Sequence, residues 1–291
     1  MQKLLIVFMK KYMMNKKEFY IVFVILSLFI LPLKSQYTYG TTGLLHMPTA
    51  DMQKDKTFMF GASYMNSNAT PPLWHYNTLN YYLNITFFPW LEVAYTLTLN
   101  KGEDRSDGYW PEQTWGKFVN QDRSFHARIR IWKEGWWRDW TPQIVFGAND
   151  PATHTSYGGG EITLGGDIGN NNWWTRWYFA ISKHINFNGI GVLGTHLSYI
   201  YGNAIGNKSY KKPALGVNFQ FALPTDYMYM KLLNGLDLKF EYGPSNGGQN
   251  SGDMICNIGF NYKIWKDHIN IICDLNQFKY PSCGVFFRIH L

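Results

Sequence analysis

The chain has few cysteines, few charged residues and little overall hydrophobicity, and each scarcity excludes a class of protein. Its three cysteines, Cys256, Cys273 and Cys283, lack the spacing of metal ligands, so we predict no metal site and no cofactor. Charged residues make up 16% of the 291 positions, yet the mean hydropathy is −0.26, which is too polar for a helical membrane protein. Aromatic residues reach 18%, a richness typical of the girdles of transmembrane β-barrels. An aromatic-rich soluble β-sandwich is the alternative.

A single long apolar run lies at residues 19–33, after Lys16 and Lys17 and before Ser35. The run is shorter than the roughly 20 residues that a spanning helix needs, and its flanks are those of a secretory signal peptide. We therefore predict a signal peptide over residues 1–35, with a membrane anchor as the alternative. This leader carries +5 of the net charge of +7, so +2 remains and nucleic-acid binding is not predicted. No cysteine follows the run, which excludes a lipid-attachment signal.

From residue 57 onward, segments alternate apolar and polar residues with period two. In the last segment, Val285 and Phe287 share one face, and Arg288 and His290 share the other. Transmembrane barrels turn the apolar face to lipid and the polar face to the lumen, and bacterial barrels have an even number of strands. The prediction is an all-β, antiparallel, up-and-down transmembrane barrel of about twelve strands, of the outer-membrane type, over residues 57–291. The predicted strands are 57–65, 77–88, 90–99, 123–132, 142–148, 173–184, 190–201, 213–223, 235–242, 254–264, 269–276 and 283–291.

The same alternation directs a set of charged side chains of both signs into the lumen. Two interpretations stay open: the charges guide a hydrated, acidic glycan, or they pair with one another and fill a narrow interior. The predicted lumen-lining residues are Glu92, His126, Arg128, Arg130, Arg176, Asp237, Lys239, Glu241, Lys263, Asp274 and Arg288.

Long and short connections alternate between the predicted strands. Longer loops lie outside the cell, so we predict the outer membrane of a Gram-negative-type cell as the location, with both termini in the periplasm. The connection 224–234 is long for a turn and is predicted to hold a small periplasmic element. Ser282, Gly284, Phe287 and Ile289 resemble the signal that outer-membrane assembly machinery recognises, so this machinery and outer-membrane lipid are the expected partners.

Two stretches of the chain resemble the YjbH family of exopolysaccharide-associated outer-membrane barrels. Residues 39–51, YGTTGLLHMPTAD, resemble the opening of that family, and residues 121–124 followed by 142–151, PQIVFGANDP, resemble its central signature. The resemblance implies a role in making or exporting an extracellular polysaccharide, with the glycan and export or biosynthesis proteins as partners. The residues that carry it are Gly40, Thr41, Thr42, Gly43, Leu44, Pro48, Ala50, Asp122, Arg123, Ser124, Gly147 and Asp150.

Residues 36–56 precede the first strand and allow two interpretations. Glycines there permit close packing and positive φ, so the segment is either a structured periplasmic lead-in or a small plug that turns back into the barrel mouth. Near the outer loops, Asp122, Arg123 and Asp150 are expected to form a cross-loop salt bridge, with ligand contact as the alternative.

A catalytic site was considered on the seventh predicted strand. His196 and Ser198 lie two residues apart, the spacing of the dyad in outer-membrane phospholipases. Tyr199 and Ile200 stand where those enzymes carry Asn-Gly, so we predict that the chain is not an enzyme.

The sequence thus favours a non-catalytic barrel associated with exopolysaccharide or capsule biosynthesis or export. A porin-like channel for small solutes is the first alternative, and a surface barrel for structure or adhesion, acting through loops such as 108–117, is the second. A lumen blocked by paired charges would favour this last alternative, and an open path would favour the other two.

Overall fold

The computed structural model describes residues 39–66, 77–102, 104, 112–151, 176–204, 208–225, 227–245, 252–265 and 267–291, without the side chains of residues 100, 119–123, 203, 204 and 208. All of these residues belong to one unit, Lys34–Leu291. The predicted signal peptide, residues 1–35, lies outside the described part.

Twelve antiparallel strands form a closed barrel in which each strand pairs with the next and the last pairs with the first. The predicted transmembrane barrel of twelve strands is therefore confirmed. The strands are β1 (Thr57–Met65), β2 (Thr78–Phe88), β3 (Leu91–Lys101), β4 (Phe118–Trp132), β5 (Gln143–Asn149), β6 (Arg176–Phe187), β7 (Gly191–Ala204), β8 (Lys208–Phe221), β9 (Leu236–Pro244), β10 (Met254–Trp265), β11 (Ile269–Asn276) and β12 (Tyr280–His290).

Alternation along the strands separates a lipid face from a lumen face, with register shifts on β2, β3, β4 and β10. On β4, for example, Phe125 and Ile129 are exposed on the outside, whereas His126 and Arg128 are buried inside. Aromatic pairs add contacts between neighbouring strands on the outer face, as where Phe60 of β1 stacks on Phe287 of β12. Since nearly all of the large exposed side chains on the strands are apolar, the outer surface of the barrel is suited to lipid rather than water.

Both ends of the barrel sequence meet at one mouth. Thr57 of β1 pairs with His290 of β12, and the N–H of Leu291 donates to the carbonyl of Lys56 at 2.8 Å. Exposed aromatic side chains surround this mouth, including Trp136 and Trp140 in the β4–β5 connection. A ring of exposed aromatic residues is typical of the boundary between lipid and water.

The connection between β8 and β9 contains a short helix, α1 (Met228–Leu233), where the sequence predicted a small element. Asn234 closes this connection, because its side chain accepts from the N–H of Leu223 at 2.7 Å and donates to the carbonyl of the same residue at 2.9 Å. No helix among the described residues is long and apolar enough to cross a membrane.

The structure corrects the start of β4. The sequence predicted a strand from residue 123, whereas β4 begins at Phe118 and is paired with β3 from there onward. The register shifts between Thr98 and Leu99 of β3, and this irregularity breaks the alternation that would have revealed the extra residues. Asp122 and Arg123 thus lie within the strand rather than at its start; their side chains lie outside the described part.

Candidate functional site

The lumen of the barrel holds residues 39–53, which we call the lumenal segment. Every residue of this segment is buried except His46, which is half-buried. The N–H of Leu44 donates to the carbonyl of Met47 at 3.1 Å, and Gly43 pairs with Pro48, so the chain reverses direction inside the barrel. Gly40 has a φ of +83°, and a Cβ there would lie 2.9 Å from atoms of Tyr82 and Thr96, which explains the glycine at the first position of the predicted motif.

A single carboxylate on β9 holds the tip of this reversal. Glu241 accepts from the backbone N–H groups of Leu45 (3.1 Å), His46 (3.0 and 3.1 Å) and Met47 (3.0 Å). Asn257 of β10 donates to the same carboxylate at 2.8 Å. Three consecutive backbone N–H groups converging on one anion form a nest, so the buried charge of Glu241 is satisfied by the lumenal segment itself.

Two charged side chains on β3 and β4 hold the rest of the segment. Glu92 accepts from the N–H and the hydroxyl of Thr42, both at 2.7 Å. Arg128, which is completely buried, donates to the carbonyls of Thr42, Thr49 and Asp51, the last at 2.7 Å. A guanidinium with several donors can bridge two separate stretches of backbone in this way, so Arg128 ties the two arms of the reversal together.

Side chains of the segment also make charged contacts with the wall. The imidazole Nε2 of His46 lies 2.8 Å from Oδ2 of Asp274 on β11. Burial lowers the pKa of His46, but the charge of Asp274 and the hydrogen bond to it outweigh burial and raise the pKa above its ordinary 6.5. Arg176 of β6 donates to the carbonyl of His46 at 3.2 Å and lies over the ring of Tyr39 at 4.9 Å.

Small residues on the wall make room for the apolar side chains of the segment. A Cβ at Gly259 of β10 would lie 2.8 Å from Leu45, and one at Gly216 of β8 would collide with Leu44. Leu44 joins a buried apolar cluster with residues of the wall such as Tyr178. The wall therefore has an apolar surface that fits the side chains of the segment, which we call the seat, in addition to the polar groups that bind its backbone.

The remaining predicted lumen-lining residues lie at four places on the wall. His126 contacts Thr96 and Asn149, and Asp237 lies 3.7 Å from Lys239 and accepts from Asn218 at 2.6 Å. Near the mouth that holds the termini, Arg130 donates to Pro89 and Gln143, and Arg288 binds Asp267 at 2.7 Å. Lys263 is half-buried on the lumen side of β10.

Of the predicted outer-loop residues, only Asp150 has a described side chain. It follows β5 with a φ of +48°, is buried, and donates from its backbone N–H to Phe125 at 2.8 Å. Ser124 and Gly147 lie on β4 and β5 beside it, and a Cβ at Gly147 would collide with the ring of Tyr178.

His196 and Ser198, which have the spacing of a catalytic dyad, do not bond to each other. His196 contacts the hydroxyl of Ser182 with its Nδ1 at 2.7 Å and Oδ1 of Asn218 with its Nε2 at 2.9 Å, rather than Ser198. Ser182 in turn accepts from the N–H of Ala50 at 2.9 Å. Adjacent strands place Ser182 and His196 directly opposite each other, whereas residues two apart on one strand, such as His196 and Ser198, only share a face.

Uncharged wall residues also make polar contacts to the segment that the sequence did not predict. Asn84 donates to the carbonyl of Gly40 at 2.6 Å and to Glu92 at 2.9 Å, and Gln143 donates to the carbonyl of Ala50. Polar residues at inward positions were visible in the sequence, but their partners lie far along the chain and only the fold identifies them.

Comparison with protein families finds a match, mostly in the first half of the chain. Residues 35–164 match the family model YjbH, described as "Exopolysaccharide biosynthesis protein YbjH". The match includes both stretches, 39–51 and 121–151, from which the resemblance was predicted, and it confirms that resemblance. The same range contains the whole lumenal segment together with Glu92 and Arg128, which hold it.

Solved structures of outer-membrane proteins are similar at low identity. An outer membrane channel from Pseudomonas putida F1 has 8% identity and a TM-score of 0.42 over 82% of this chain and 96% of that one. The outer membrane phospholipase of Salmonella typhi, solved as a dimer with bound calcium, has 11% identity and a TM-score of 0.32 over 81% and 91%. The outer membrane channel DcaP of Acinetobacter baumannii has 10% identity and a TM-score of 0.28 over 80% of this chain and 94% of that one. Comparison with curated proteins finds no match.

Proposed function

Because residues 35–164 carry the YjbH exopolysaccharide family match, we propose that this chain is a non-catalytic outer-membrane barrel that takes part in the export of an exopolysaccharide and is closed at rest by its own N-terminal segment. In this proposal, residues 1–35 are a signal peptide, residues 36–56 are the plug and residues 57–291 are the barrel. The lumenal charges hold the plug at rest and face the glycan once it leaves.

One observation carries the proposal. The first family motif, residues 39–51, is the part of the chain that lies in the lumen, and inward charges of both signs bind its backbone. A motif that served only as a lead-in would not need three wall residues, Glu92, Arg128 and Glu241, to hold its carbonyl and N–H groups. The family match therefore includes the segment in the lumen together with two of the three wall residues that hold it.

The occupied lumen argues against a permanently open channel for small solutes. Residues 39–53 fill space that such a channel needs, and their backbone is bonded to strands on several sides. Passage of a glycan requires the segment to move, whereas a surface scaffold or adhesion barrel does not require it. This difference separates the two remaining functions.

The first experiment tests whether the chain is needed for polysaccharide to reach the cell surface. Deleting its gene should reduce the polysaccharide stained on intact cells, and the wild-type chain supplied in trans should restore it. Unchanged staining in the deletion strain would contradict the proposal, provided that the wild-type cells make the glycan under the same conditions.

A second experiment locks the segment. In a chain whose native cysteines are replaced by serine, Ala50→Cys and Ser182→Cys place two thiols at positions joined by a 2.9 Å hydrogen bond in the native chain. Oxidation to a disulfide should lower surface polysaccharide, and a reductant should restore it. The matched controls carry only one of the two cysteines. If the oxidised lock leaves the polysaccharide unchanged, the barrel acts as a scaffold.

We further propose that both termini face the periplasm and that the last strand is read by the assembly machinery. The β1–β2, β3–β4 and β5–β6 connections, all at the end opposite the termini, are long, which supports this orientation. A Glu112→Cys variant in the cysteine-free chain should react with an impermeant maleimide on intact cells. Reaction only after permeabilisation would reverse the orientation.

A further inference from the structure

Three side chains from separate parts of the chain meet where the lumenal segment leaves the barrel. Asp51 belongs to the segment, His184 to β6 and His196 to β7, and one ligand atom from each lies within 4.8 Å of the other two. Nε2 of His184 is 3.5 Å from Oδ1 of Asp51, and the two imidazole rings are 5.8 Å apart. Two nitrogens and one carboxylate oxygen are a donor set used for zinc.

The surroundings of His184 orient it as a ligand. Its Nδ1 lies 2.7 Å from Oε2 of Glu134, and its backbone N–H donates to the other oxygen of the same carboxylate at 2.8 Å. Because a carboxylate only accepts, one ring proton of His184 belongs on Nδ1. Nε2 faces Asp51, a second carboxylate, so it carries a proton in the absence of a cation and becomes a ligand when a cation displaces that proton. A carboxylate behind a histidine in this arrangement is typical of metal ligands in proteins.

A second hydrogen-bond chain orients His196. Asp237 accepts from Nδ2 of Asn218 at 2.6 Å, which turns Oδ1 of Asn218 towards Nε2 of His196 at 2.9 Å. The ring proton therefore lies on Nε2, and the lone pair of Nδ1 points towards the hydroxyl of Ser182, 2.7 Å away. His196 is thus held with Nδ1 free of a proton, and His184 offers Nε2 to a cation that displaces its proton.

We propose that Asp51, His184 and His196 bind one divalent transition-metal ion, with zinc as the best fit, and that the ion fastens the lumenal segment to the wall. Two imidazoles disfavour calcium and magnesium, which take oxygen ligands. Bonds of about 2.0–2.1 Å would bring the ligand atoms, which now lie within 4.8 Å of one another, to separations of roughly 3.3 Å. A fourth position remains for water or for the hydroxyl of Ser182.

An ion can reach this cluster. The side chains of His184 and Glu134 keep 25% and 23% of their accessible surface, and that of Asp51 keeps 10%. One ligand comes from the segment and two from the wall, so withdrawal of the segment removes a ligand and releases the ion. Metal binding and seating of the segment are therefore coupled, whether or not the barrel transports a glycan.

The test uses the purified full chain, folded in detergent, stripped with a chelator and titrated with Zn²⁺ alone. We expect one ion per chain, a higher unfolding temperature with zinc, and an affinity at least tenfold weaker in His184→Gln and in Asp51→Asn. Glu134→Gln should weaken affinity about 10- to 100-fold through the ligand that it orients. The matched control is His290→Gln, a histidine at the same mouth outside the cluster.

Co²⁺ gives a readout that does not depend on the variants. In the wild-type chain it should produce the visible absorption bands of a low-symmetry nitrogen and oxygen site, and Zn²⁺ should abolish them. Absence of these bands together with absence of zinc binding would overturn the proposal, even if the histidine variants fail to fold. Equal zinc affinity in the wild type and in folded His184→Gln would overturn it as well. Either result would leave a metal-free ion pair between Asp51 and His184, and neither would affect the polysaccharide experiments.

Discussion

Replacing Glu241 by glutamine should release the tip of the lumenal segment. Glutamine keeps one acceptor oxygen and puts an NH₂ group, a donor, where an oxygen now faces the N–H groups of Leu45, His46 and Met47. Hydrogen bonds to a charged acceptor contribute about 1.5–3 kcal/mol each, and one of them is lost outright while the others become neutral. We expect the seated state to lose about 3 kcal/mol, which is roughly a hundredfold in the ratio of seated to released segment.

A thiol at Ala50 measures this release directly. Ala50 is completely buried, so Ala50→Cys in the cysteine-free chain should react with a water-soluble maleimide only when the segment leaves its seat. Adding Glu241→Gln should speed the reaction roughly a hundredfold. The matched control adds Glu112→Gln, which removes an exposed carboxylate in the β3–β4 connection and should leave the rate unchanged. Heat-modifiability on a gel verifies that each barrel is folded. Equal rates with and without Glu241→Gln would show that the nest does not hold the segment.

Three further predictions concern the lipid face, the seat and His46 of the lumenal segment. Ile129→Arg should cost about 2–4 kcal/mol in unfolding titrations from bilayers if it lies near the midplane, and Gln220→Lys on the lumen face should cost far less; equal costs would contradict the assigned faces. Gly216→Val should raise the open probability in planar bilayers because a larger side chain collides with the segment, whereas Val217→Leu on the lipid side should not; a closed Gly216→Val barrel would refute the fitted seat. His46 has a raised pKa when folded, so its contribution to seating is complete below pH 6.5 and is lost as the pH rises through the folded value. Open probability should therefore increase with pH in the wild type and stay flat in His46→Gln, and an opening that increases towards acid would contradict this sign.

The barrel was predictable from the sequence because the alternation of apolar and polar residues is a local pattern. Alternation with period two is set by neighbouring residues, so each strand can be read by itself, and the inward position of Arg128 or Glu92 follows without knowledge of any partner. The rule failed at residues 118–122, where a register shift interrupts the period.

The contents of the lumen were not predictable in the same way. Glu241 and Leu45 are 196 residues apart, and no local pattern links a carboxylate on the ninth strand to three N–H groups before the first. The cluster of Asp51, His184 and His196 was missed for the same reason, because its ligands have no common spacing. Glycines at residues 40 and 43 indicated a turn, yet only the closed barrel shows what surrounds it.

The position of the closing seam restricts the order in which the protein can assemble. The lumenal segment continues directly into β1, and β1 pairs with β12, the strand farthest from it along the barrel sequence. The pairing of Thr57 with His290 joins residues that are 233 positions apart, so it is among the slowest contacts to form. A segment bonded on several sides enters more readily through an open seam than through a narrow mouth. We therefore expect the strands to assemble around the segment. The hydrogen-bonding groups of the segment then act as a template for the inward faces of the strands.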